Sequence, residues 1–438
     1  MQFLKPNNET FKKIKNVIFL NADIIILSLL IQSLVLIIIF VSSAYLPPNG
    51  GYEGRWRTEP IADIASYIRN ISITWDSKHY LEIAENWYSP TRSSHYAFFP
   101  LLPILIRGLT FILPFFSTNT ISIILSWILY LTLAFFLKKA FKVLRPGANN
   151  FNLIITTLIC PFSVFYVFVY TESLFVIISL ISLFSYQRFK HISNRSRYLH
   201  LMLLLISSFA LSTTRNLGVF LGISILLAEI VFTVIKKKNA DHNHLYNNDL
   251  LSGFAVAASS ILGLFAVFSI GYLTTKNLFV SFEVQKYWRR ETNLNIFNTI
   301  YESIKQFTNP QEIYSTCDNY RDCVFGATYP LFALLIILTV FFLFSIVIYK
   351  KYNIDNKIEI NPTILVSIIF SLFLLIVPIT KGLGSYNRYI ISTPIYYLGL
   401  PILINRFIPK KFSPLILIIS SYFFAIFIIL FSLHYWIG

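Results

Sequence analysis

The chain has 438 residues, of which 55% are hydrophobic, 17% are aromatic and only 13% are charged. This composition excludes an ordinary soluble globular protein and predicts an all-α polytopic membrane protein. The net charge of +16 does not indicate nucleic-acid binding, because the basic residues cluster at the ends of apolar runs, as membrane topology requires.

Apolar runs of about the length that crosses a bilayer recur along the whole chain. They predict about 11 transmembrane helices in a single domain covering residues 1–438. The first apolar run is longer than the core of a signal peptide, so we expect it to be a retained span. The spans are expected at about 23–46, 119–137, 152–169, 174–187, 199–213, 217–235, 252–275, 328–349, 362–379, 390–405 and 413–436.

The segment 98–116 is long enough to cross the membrane but carries three prolines and Arg107. Counting it as a span would place the next basic cluster outside and would invert every later loop. We therefore expect this segment to be interfacial or re-entrant. With the N-terminus inside, residues 47–118 form the first extracytoplasmic loop, residues 276–327 form the second, and the turn at 381–389 lies on the same side.

The first extracytoplasmic loop contains the densest run of ionisable side chains in the chain, within residues 73–87. Four of these residues are spaced by three: Asp76, His79, Glu82 and Glu85. If this run is helical, the four side chains project from one side of the helix, and each is turned slightly around the helix axis from the one before. We expect Asp76 to act as a general base near the membrane surface, with Trp75 and His79 beside it. A helix N-cap or solvated loop acid is the alternative for Asp76, and a wet helix face is the alternative for the others.

Five further polar or aromatic residues are candidates for substrate binding on the same side. Glu172 and Arg215 each lie between two apolar runs, where a hairpin cap and a snorkelling arginine are the respective alternatives. Arg388 follows a flexible glycine-containing turn and is suited to a phosphate group. Gln285 and Trp288 belong to an aromatic and cationic stretch that suits a sugar ring or lipid headgroup, or else forms an interfacial aromatic belt.

Other features of the sequence restrict the chemistry. Cys317 and Cys323 could form a disulfide or remain free thiols, and Cys160 is expected in the core. The sequence shows no clustering of metal ligands, so we expect no metal and no cofactor. A transferase working outside the cytoplasm has no ready access to nucleotide-activated donors, so it would need a lipid-linked sugar donor.

Four groups of residues, taken in order, resemble the PIG-V family of mannosyltransferases. They are Trp75-Asp76 with Tyr80, the run Ala-Phe-Phe-Pro-Leu-Leu-Pro at 97–103, Cys-Pro-Phe-Ser at 160–163 with Tyr-Thr-Glu-Ser-Leu-Phe at 170–175, and Arg388-Tyr389 with Thr393-Pro394. The resemblance covers about residues 70–400. This family contains the second GPI mannosyltransferase and its prokaryotic relatives.

The resemblance implies a GT-C glycosyltransferase fold and a polyisoprenyl (dolichyl) phosphate mannose donor. It further implies that Asp76 deprotonates the acceptor hydroxyl, that the anomeric centre inverts, that no metal is demanded, and that cations such as Arg215 or Arg388 hold the phosphate. Departures at 87–88, 213–218 and 285–290 favour a prokaryotic enzyme of the cell membrane over the GPI enzyme of the endoplasmic reticulum. Eukaryotic members are thought to need a small membrane subunit.

Two classes of function other than an enzyme remain open from the sequence. A transporter or flippase of lipid-linked saccharides would also have many spans, but it predicts polar residues within the spans and paired broken helices in two halves. A non-catalytic assembly subunit would keep the topology without needing Asp76.

Overall fold

The structure of the chain is a computed structural model that describes residues 21–46, 63–144, 150–192, 195–238, 246–285, 294–308, 361–381 and 385–435. Within these ranges every regular element is a helix and there is no strand. The predicted all-α fold class is therefore confirmed.

Sixteen α-helices are described in these ranges. They are α1 Ala22–Tyr45, α2 Ile64–Ser72, α3 Asp76–Asn86, α4 Leu101–Ile112, α5 Thr118–Leu144, α6 Phe151–Leu158, α7 Glu172–His191, α8 Ser196–Thr214, α9 Val219–Lys238, α10 Tyr246–Thr275, α11 Val280–Glu283, α12 Ile296–Thr308, α13 Pro362–Ile379, α14 Tyr386–Ile391, α15 Leu400–Phe407 and α16 Ser413–Ser432. Short helical turns join some of them, at Ser93–Ala97, Pro161–Tyr166, Asn216–Gly218, Ile395–Gly399 and Lys410–Phe412.

Six helical stretches in the described part are long and apolar enough to cross a bilayer. They are Ala22–Tyr45, Thr118–Leu144, Asn216–Val234, Asp249–Thr275, Pro362–Ile379 and Ser413–Ser432. Large apolar side chains on these helices remain exposed, such as Ile26 at 57% and Leu30 at 63% on α1. A hydrocarbon environment accommodates such surfaces, and helices satisfy their own backbone hydrogen bonds there. The chain is therefore a multi-pass membrane protein.

Helix α7 is largely buried and packs against α8. The two helices have 20 and 19 residues, so each is about 30 Å long and reaches across a hydrocarbon core. Serines on α7 tie it to its neighbours. Ser182 Oγ donates to Ser207 Oγ at 2.7 Å, and Ser179 Oγ lies 2.7 Å from Tyr397 Oη. Such hydrogen bonds join helices where lipid offers no other polar partner.

Two of the expected spans are not continuous helices. In the run 152–169, α6 ends at Leu158 and a tight turn begins at Pro161. In the run 390–405, α14 ends at Ile391 and a π-helical turn begins after Pro394. Proline has no N–H group and its ring clashes with the preceding turn, which explains both breaks. Both runs are apolar along their whole length, so in the sequence only the prolines indicated that the helices are interrupted.

The segment expected to be interfacial or re-entrant forms α4, a helix of 12 residues. At 1.5 Å per residue α4 is about 18 Å long, which is too short to cross a hydrocarbon core of about 30 Å. It packs against α3 and α5. Cys160 packs against the apolar core, as expected. The span expected at 328–349, together with Cys317 and Cys323, lies outside the described residues.

Candidate active site

The site is built around the start of α3. Trp75 has a φ of 58°, in a region that residues with a side chain rarely occupy and that carries strain of about 1–3 kcal/mol. Trp75 occupies the N-cap position of α3, and no side chain caps the helix. Asp76 is therefore the first residue of α3 and not its N-cap. Its carboxylate is placed at the positive end of the helix dipole.

Arg388 connects Asp76 to a second carboxylate from another helix. Its Nη1 atom donates to Asp76 Oδ2, and its Nε atom donates to Glu172 Oε1 at 2.6 Å. The guanidinium carbon lies 4.6 Å from the centre of the Tyr170 ring. The Arg388 side chain is only 6% exposed and that of Glu172 is fully buried. Because a buried charge requires partners, these contacts hold the guanidinium in one position.

Arg215 adds a second guanidinium to the same carboxylate. Its Nη1 atom donates to Glu172 Oε1 at 3.1 Å and to Ser392 Oγ at 3.2 Å. Its guanidinium carbon lies 5.0 Å from the centre of the Tyr389 ring. These contacts show that Arg215 is not merely a snorkelling side chain. Glu172, likewise, is not a hairpin cap, because it makes no cap hydrogen bond and instead joins two arginines.

Local backbone features bring the two arginines to this place. Arg215 follows the last residue of α8 in an extended conformation, and a turn at 216–218 then folds the chain back onto α8. A Cβ at Gly218 would lie 2.1 Å from the backbone oxygen of Leu211, so only glycine fits this close approach. Arg388 lies in the first turn of α14. This helix begins directly after Ser385, which has a φ of 64°.

A cavity of about 540 Å³ opens beside these charges. Its polar lining includes Asp76, Arg215, Lys381 and Arg388. Its apolar lining is largely aromatic and includes Trp75, Tyr80, Phe98, Phe268, Phe282 and Tyr389. The Tyr80 hydroxyl stays protonated because burial raises its pKa to about 12. A cavity of this volume, with a few convergent charges and aromatic walls, is suited to a small polar ligand that carries an apolar extension.

His79 lines the same cavity and belongs to a second polar group behind α3. The His79 ring stacks on Phe98 with the ring centres 4.5 Å apart, and burial lowers its pKa. His95 Nε2 lies 2.9 Å from Glu82 Oε2. This hydrogen bond lowers the pKa of the Glu82 carboxyl. The expected wet helix face is therefore only partly correct, because Glu85 is exposed whereas His79 and Glu82 are half-buried.

Most of the residues selected from the sequence meet at one place. The cavity is lined by Trp75, Asp76, His79, Arg215, Gln285 and Arg388. Glu172 does not line it but binds both of its arginines. Trp288 lies outside the described residues.

Sequence reasoning missed several residues of the site. Lys381 and Tyr389 belong to the turn at 381–389, which was selected only as a segment. Tyr170 lies two residues before Glu172 in the same motif. This proximity to Glu172 was the sequence signal that could have indicated Tyr170. Ser392 gave no signal, because a serine in an apolar run is ordinary in membrane helices.

Comparison with known proteins gives one family. The family model described as mannosyltransferase (PIG-V) matches residues 58–272. The matched region contains Asp76, Glu172 and Arg215, but not Arg388. A search of curated proteins finds no match. This match covers just under half of the chain. Taken with the membrane-spanning helices, it supports a membrane mannosyltransferase of the PIG-V family.

Proposed function

We propose that the protein transfers mannose from a polyisoprenyl (dolichyl) phosphate mannose donor to a hydroxyl group of a lipid-linked glycan or GPI-type glycolipid acceptor. Asp76 is the general base, the anomeric centre inverts, and the reaction takes place at the extracytoplasmic face. The observation that carries this proposal is a single cavity in which a carboxylate, Asp76, lies beside three cations, Arg215, Lys381 and Arg388.

The balance of charges suits one phosphodiester. The three cations are opposed by two carboxylates, Asp76 and the buried Glu172. Among the residues that the structure describes at the site, the net charge is therefore one positive charge, which the single negative charge of a sugar–phosphate–lipid diester would neutralise. Arginine is well suited to bind phosphate oxygens through two N–H groups. When the sugar leaves, the phosphate gains a second negative charge, which the same cations stabilise in the transition state.

The aromatic side of the cavity suits the lipid part of the donor. Phe268 and Phe282 line the cavity, and their ring centres are 5.3 Å apart. Phe282 is 43% exposed and the neighbouring Phe279 is 56% exposed. An exposed aromatic edge beside a charged cavity suits a ligand whose phosphate is polar and whose chain stays in the hydrocarbon phase.

The chemical step is a displacement at the anomeric carbon. The acceptor oxygen forms a bond to this carbon while the carbon–oxygen bond to phosphate breaks on the opposite face. The acceptor proton passes to the Asp76 carboxylate, and the electron pair of the broken bond leaves with the polyisoprenyl phosphate. General base catalysis of this kind contributes about 10²- to 10⁴-fold.

The contact between Arg388 and Asp76 gives donor binding a second role. The phosphate of the donor competes with Asp76 Oδ2 for the Nη1 atom of Arg388. Because Glu172 holds Arg388 at Nε, the guanidinium can turn toward the phosphate without leaving the site. Donor binding then releases a carboxylate oxygen that can accept the proton of the acceptor.

The test is mannose transfer by the purified protein in detergent or liposomes. Dolichyl phosphate mannose is the donor, and a mono-mannosylated GPI precursor and a membrane-lipid extract are offered separately as acceptors. We expect transfer to at least one acceptor, its loss in Asp76→Asn, and donor binding by that variant at least as tight as that of the wild type, because Asp76 no longer competes for Arg388. Glu85→Gln is the matched control, because Glu85 is an exposed acid on the same helix.

The pattern of products separates the remaining possibilities. Transfer to the GPI precursor would identify an endoplasmic reticulum enzyme, which we would then expect to work with a small membrane subunit. Transfer only to the lipid extract would identify a prokaryotic enzyme of the cell membrane, which the sequence favours. Donor binding without transfer to either acceptor, unchanged by Asp76→Asn, would contradict the proposal and favour a flippase or an assembly subunit.

A further inference from the structure

Three potential metal ligands come together on the side of α3 that faces the Ser93–Ala97 turn. One ligand atom from each of His79, Glu82 and His95 lies within 4.8 Å of the others. His79 and Glu82 are one helical turn apart on α3, so they project from the same face. His95 arrives from the 3₁₀ turn, and its ring centre lies 5.6 Å from that of His79.

The chemistry of these three side chains matches that of a metal-binding set. Two imidazoles and one carboxylate are the ligands of a well-known class of zinc site, with bonds of about 2.0–2.2 Å to the ion. Two ligand atoms bound tetrahedrally to one ion at such bond lengths are about 3.3–3.6 Å apart. The observed 2.9 Å between His95 Nε2 and Glu82 Oε2 is about half an ångström shorter, so a small movement of either side chain opens the space that an ion between them requires.

The surroundings favour retention of an ion. His95 is 1% exposed, and its Nδ1 atom has no hydrogen-bond partner among the described residues. A buried nitrogen without a hydrogen-bond partner destabilises the protein. Because, within the described residues, Nδ1 makes no hydrogen bond that a rotation of the ring would break, the ring can turn toward an ion at little cost in free energy.

We propose that His79, Glu82 and His95 bind a divalent transition-metal ion, with Zn²⁺ preferred. Three protein ligands leave at least one coordination position for water or for an oxygen of a bound molecule. The sequence did not indicate this site, because His95 is separated from Glu82 by a loop whose course only the structure shows.

The site would act on the cavity through His79. This residue lines the cavity one turn after Asp76 on α3, so the ion would fix the ring and add positive charge beside the place assigned to the donor. In the described part of the chain, two cations oppose an ion here, Lys78 on α3 and Arg92. Arg92 Nη1 lies 3.4 Å from Glu82 Oε2, but its side chain is 51% exposed and can turn into solvent. Metal binding is a property of these residues alone and does not depend on the proposed transferase reaction.

The experiment measures metal content and affinity of the full-length protein. The purified protein is stripped with a chelator, loaded separately with Zn²⁺, Co²⁺ or Mn²⁺, and freed of excess ion. We expect about one Zn²⁺ per chain and, with Co²⁺, visible absorption bands typical of nitrogen and oxygen ligands. Less than about one ion per ten chains, for all three metals, would overturn the proposal.

Variants distinguish a built site from chance binding. Glu82→Gln keeps a hydrogen-bond acceptor for His95, so it should fold normally while its affinity for Zn²⁺ falls by about 100-fold. His79→Ala should give a loss of similar size. Glu85→Gln and His191→Ala are controls, because both alter exposed residues elsewhere on α3 and α7. Unchanged Zn²⁺ affinity in a folded Glu82→Gln variant would refute the site, whatever the transfer assay shows.

Discussion

Two ion networks of the same composition lie at opposite ends of α7. Each contains two cations and two carboxylates. The network at the start of α7 comprises Asp76, Glu172, Arg215 and Arg388. The network at its end comprises Lys190, Arg197, Glu229 and Asp249. Glu172 and Lys190 are about 27 Å apart along the helix at 1.5 Å per residue, a separation close to the thickness of a hydrocarbon core.

The two networks differ in what surrounds them. The second ties four helices together, because Lys190 of α7 donates to Glu229 of α9 at 3.0 Å and to Asp249 of α10 at 2.8 Å, and Arg197 of α8 also donates to Asp249. None of its members lines the described cavity. The first network borders that cavity, and its member Asp76 directly follows Trp75, whose backbone is strained. Charge composition alone therefore does not distinguish the two networks, whereas access to a cavity and local strain favour the first as the candidate active site.

A large contrast is expected between the buried glutamates of the two networks. Glu172→Gln should lower mannose transfer per folded molecule by about 100-fold, because both arginines lose their shared carboxylate. Glu229→Gln should leave transfer within about twofold while lowering the free energy of unfolding by about 3 kcal/mol. Transfer rates normalised to monodisperse protein, together with thermal unfolding in detergent, measure both. Equal losses of transfer would remove the distinction between the networks.

A smaller contrast is expected between the arginines. Arg388→Lys keeps the charge but cannot contact two carboxylates through a planar fork, so transfer should fall by on the order of tenfold, with weaker donor binding. Arg197→Lys in the other network is the matched control and should change neither. Donor affinity and transfer rate are measured side by side. Wild-type donor affinity in Arg388→Lys would argue against phosphate binding by this residue.

The turn that carries Arg215 offers a test of positioning. Gly218→Ala places a methyl group against the backbone of Leu211, so the turn must shift and Arg215 must move with it. We expect a loss of transfer of about fivefold and a lower unfolding temperature. Gly108→Ala is the control, because a Cβ at Gly108 would meet no atom within 4 Å. Similar behaviour of the two variants would show that the position of Arg215 is not critical.

The smallest effect is expected from a single hydroxyl group of the second network. Tyr186 Oη donates to Glu229 Oε1 at 2.7 Å. Tyr186→Phe removes this charge-assisted hydrogen bond and should lower the free energy of unfolding by about 1.5 kcal/mol without changing transfer. Thermal unfolding in detergent checks the stability, and the transfer assay checks the rate. A clear fall in transfer would mean that the second network also acts on the cavity.

The sequence predicted the general fold and selected most of the residues that meet at the cavity, for identifiable reasons. Apolar runs determine membrane helices directly, because each span satisfies its own backbone. Asp76, Arg215 and Arg388 were recognisable because ionisable residues next to spans are few. Their mutual contacts were not recognisable, since Asp76 and Arg388 are separated by most of the chain and no local pattern encodes that pairing.

The interruptions of helices and the histidine group show the limits of sequence reasoning. Pro161 and Pro394 were visible, but a proline can kink a helix as well as end it, and packing decides between the two outcomes. The approach of His95 to Glu82 depends on the path of a loop, which has no periodic signal. The strained backbone at Trp75 also has no sequence signature, because tertiary contacts impose it.

The most direct test of the account compares one aspartate from each network in the same assay. Asp76→Asn and Asp249→Asn each replace one arginine-bound carboxylate with an amide. We expect Asp76→Asn to lower the rate of mannose transfer per folded molecule by about 10³-fold. We expect the transfer rate of Asp249→Asn to stay within about twofold of the wild-type rate, while this variant loses stability. Substantial transfer by folded Asp76→Asn, or equal loss in both variants, would contradict the assignment of Asp76 as the base.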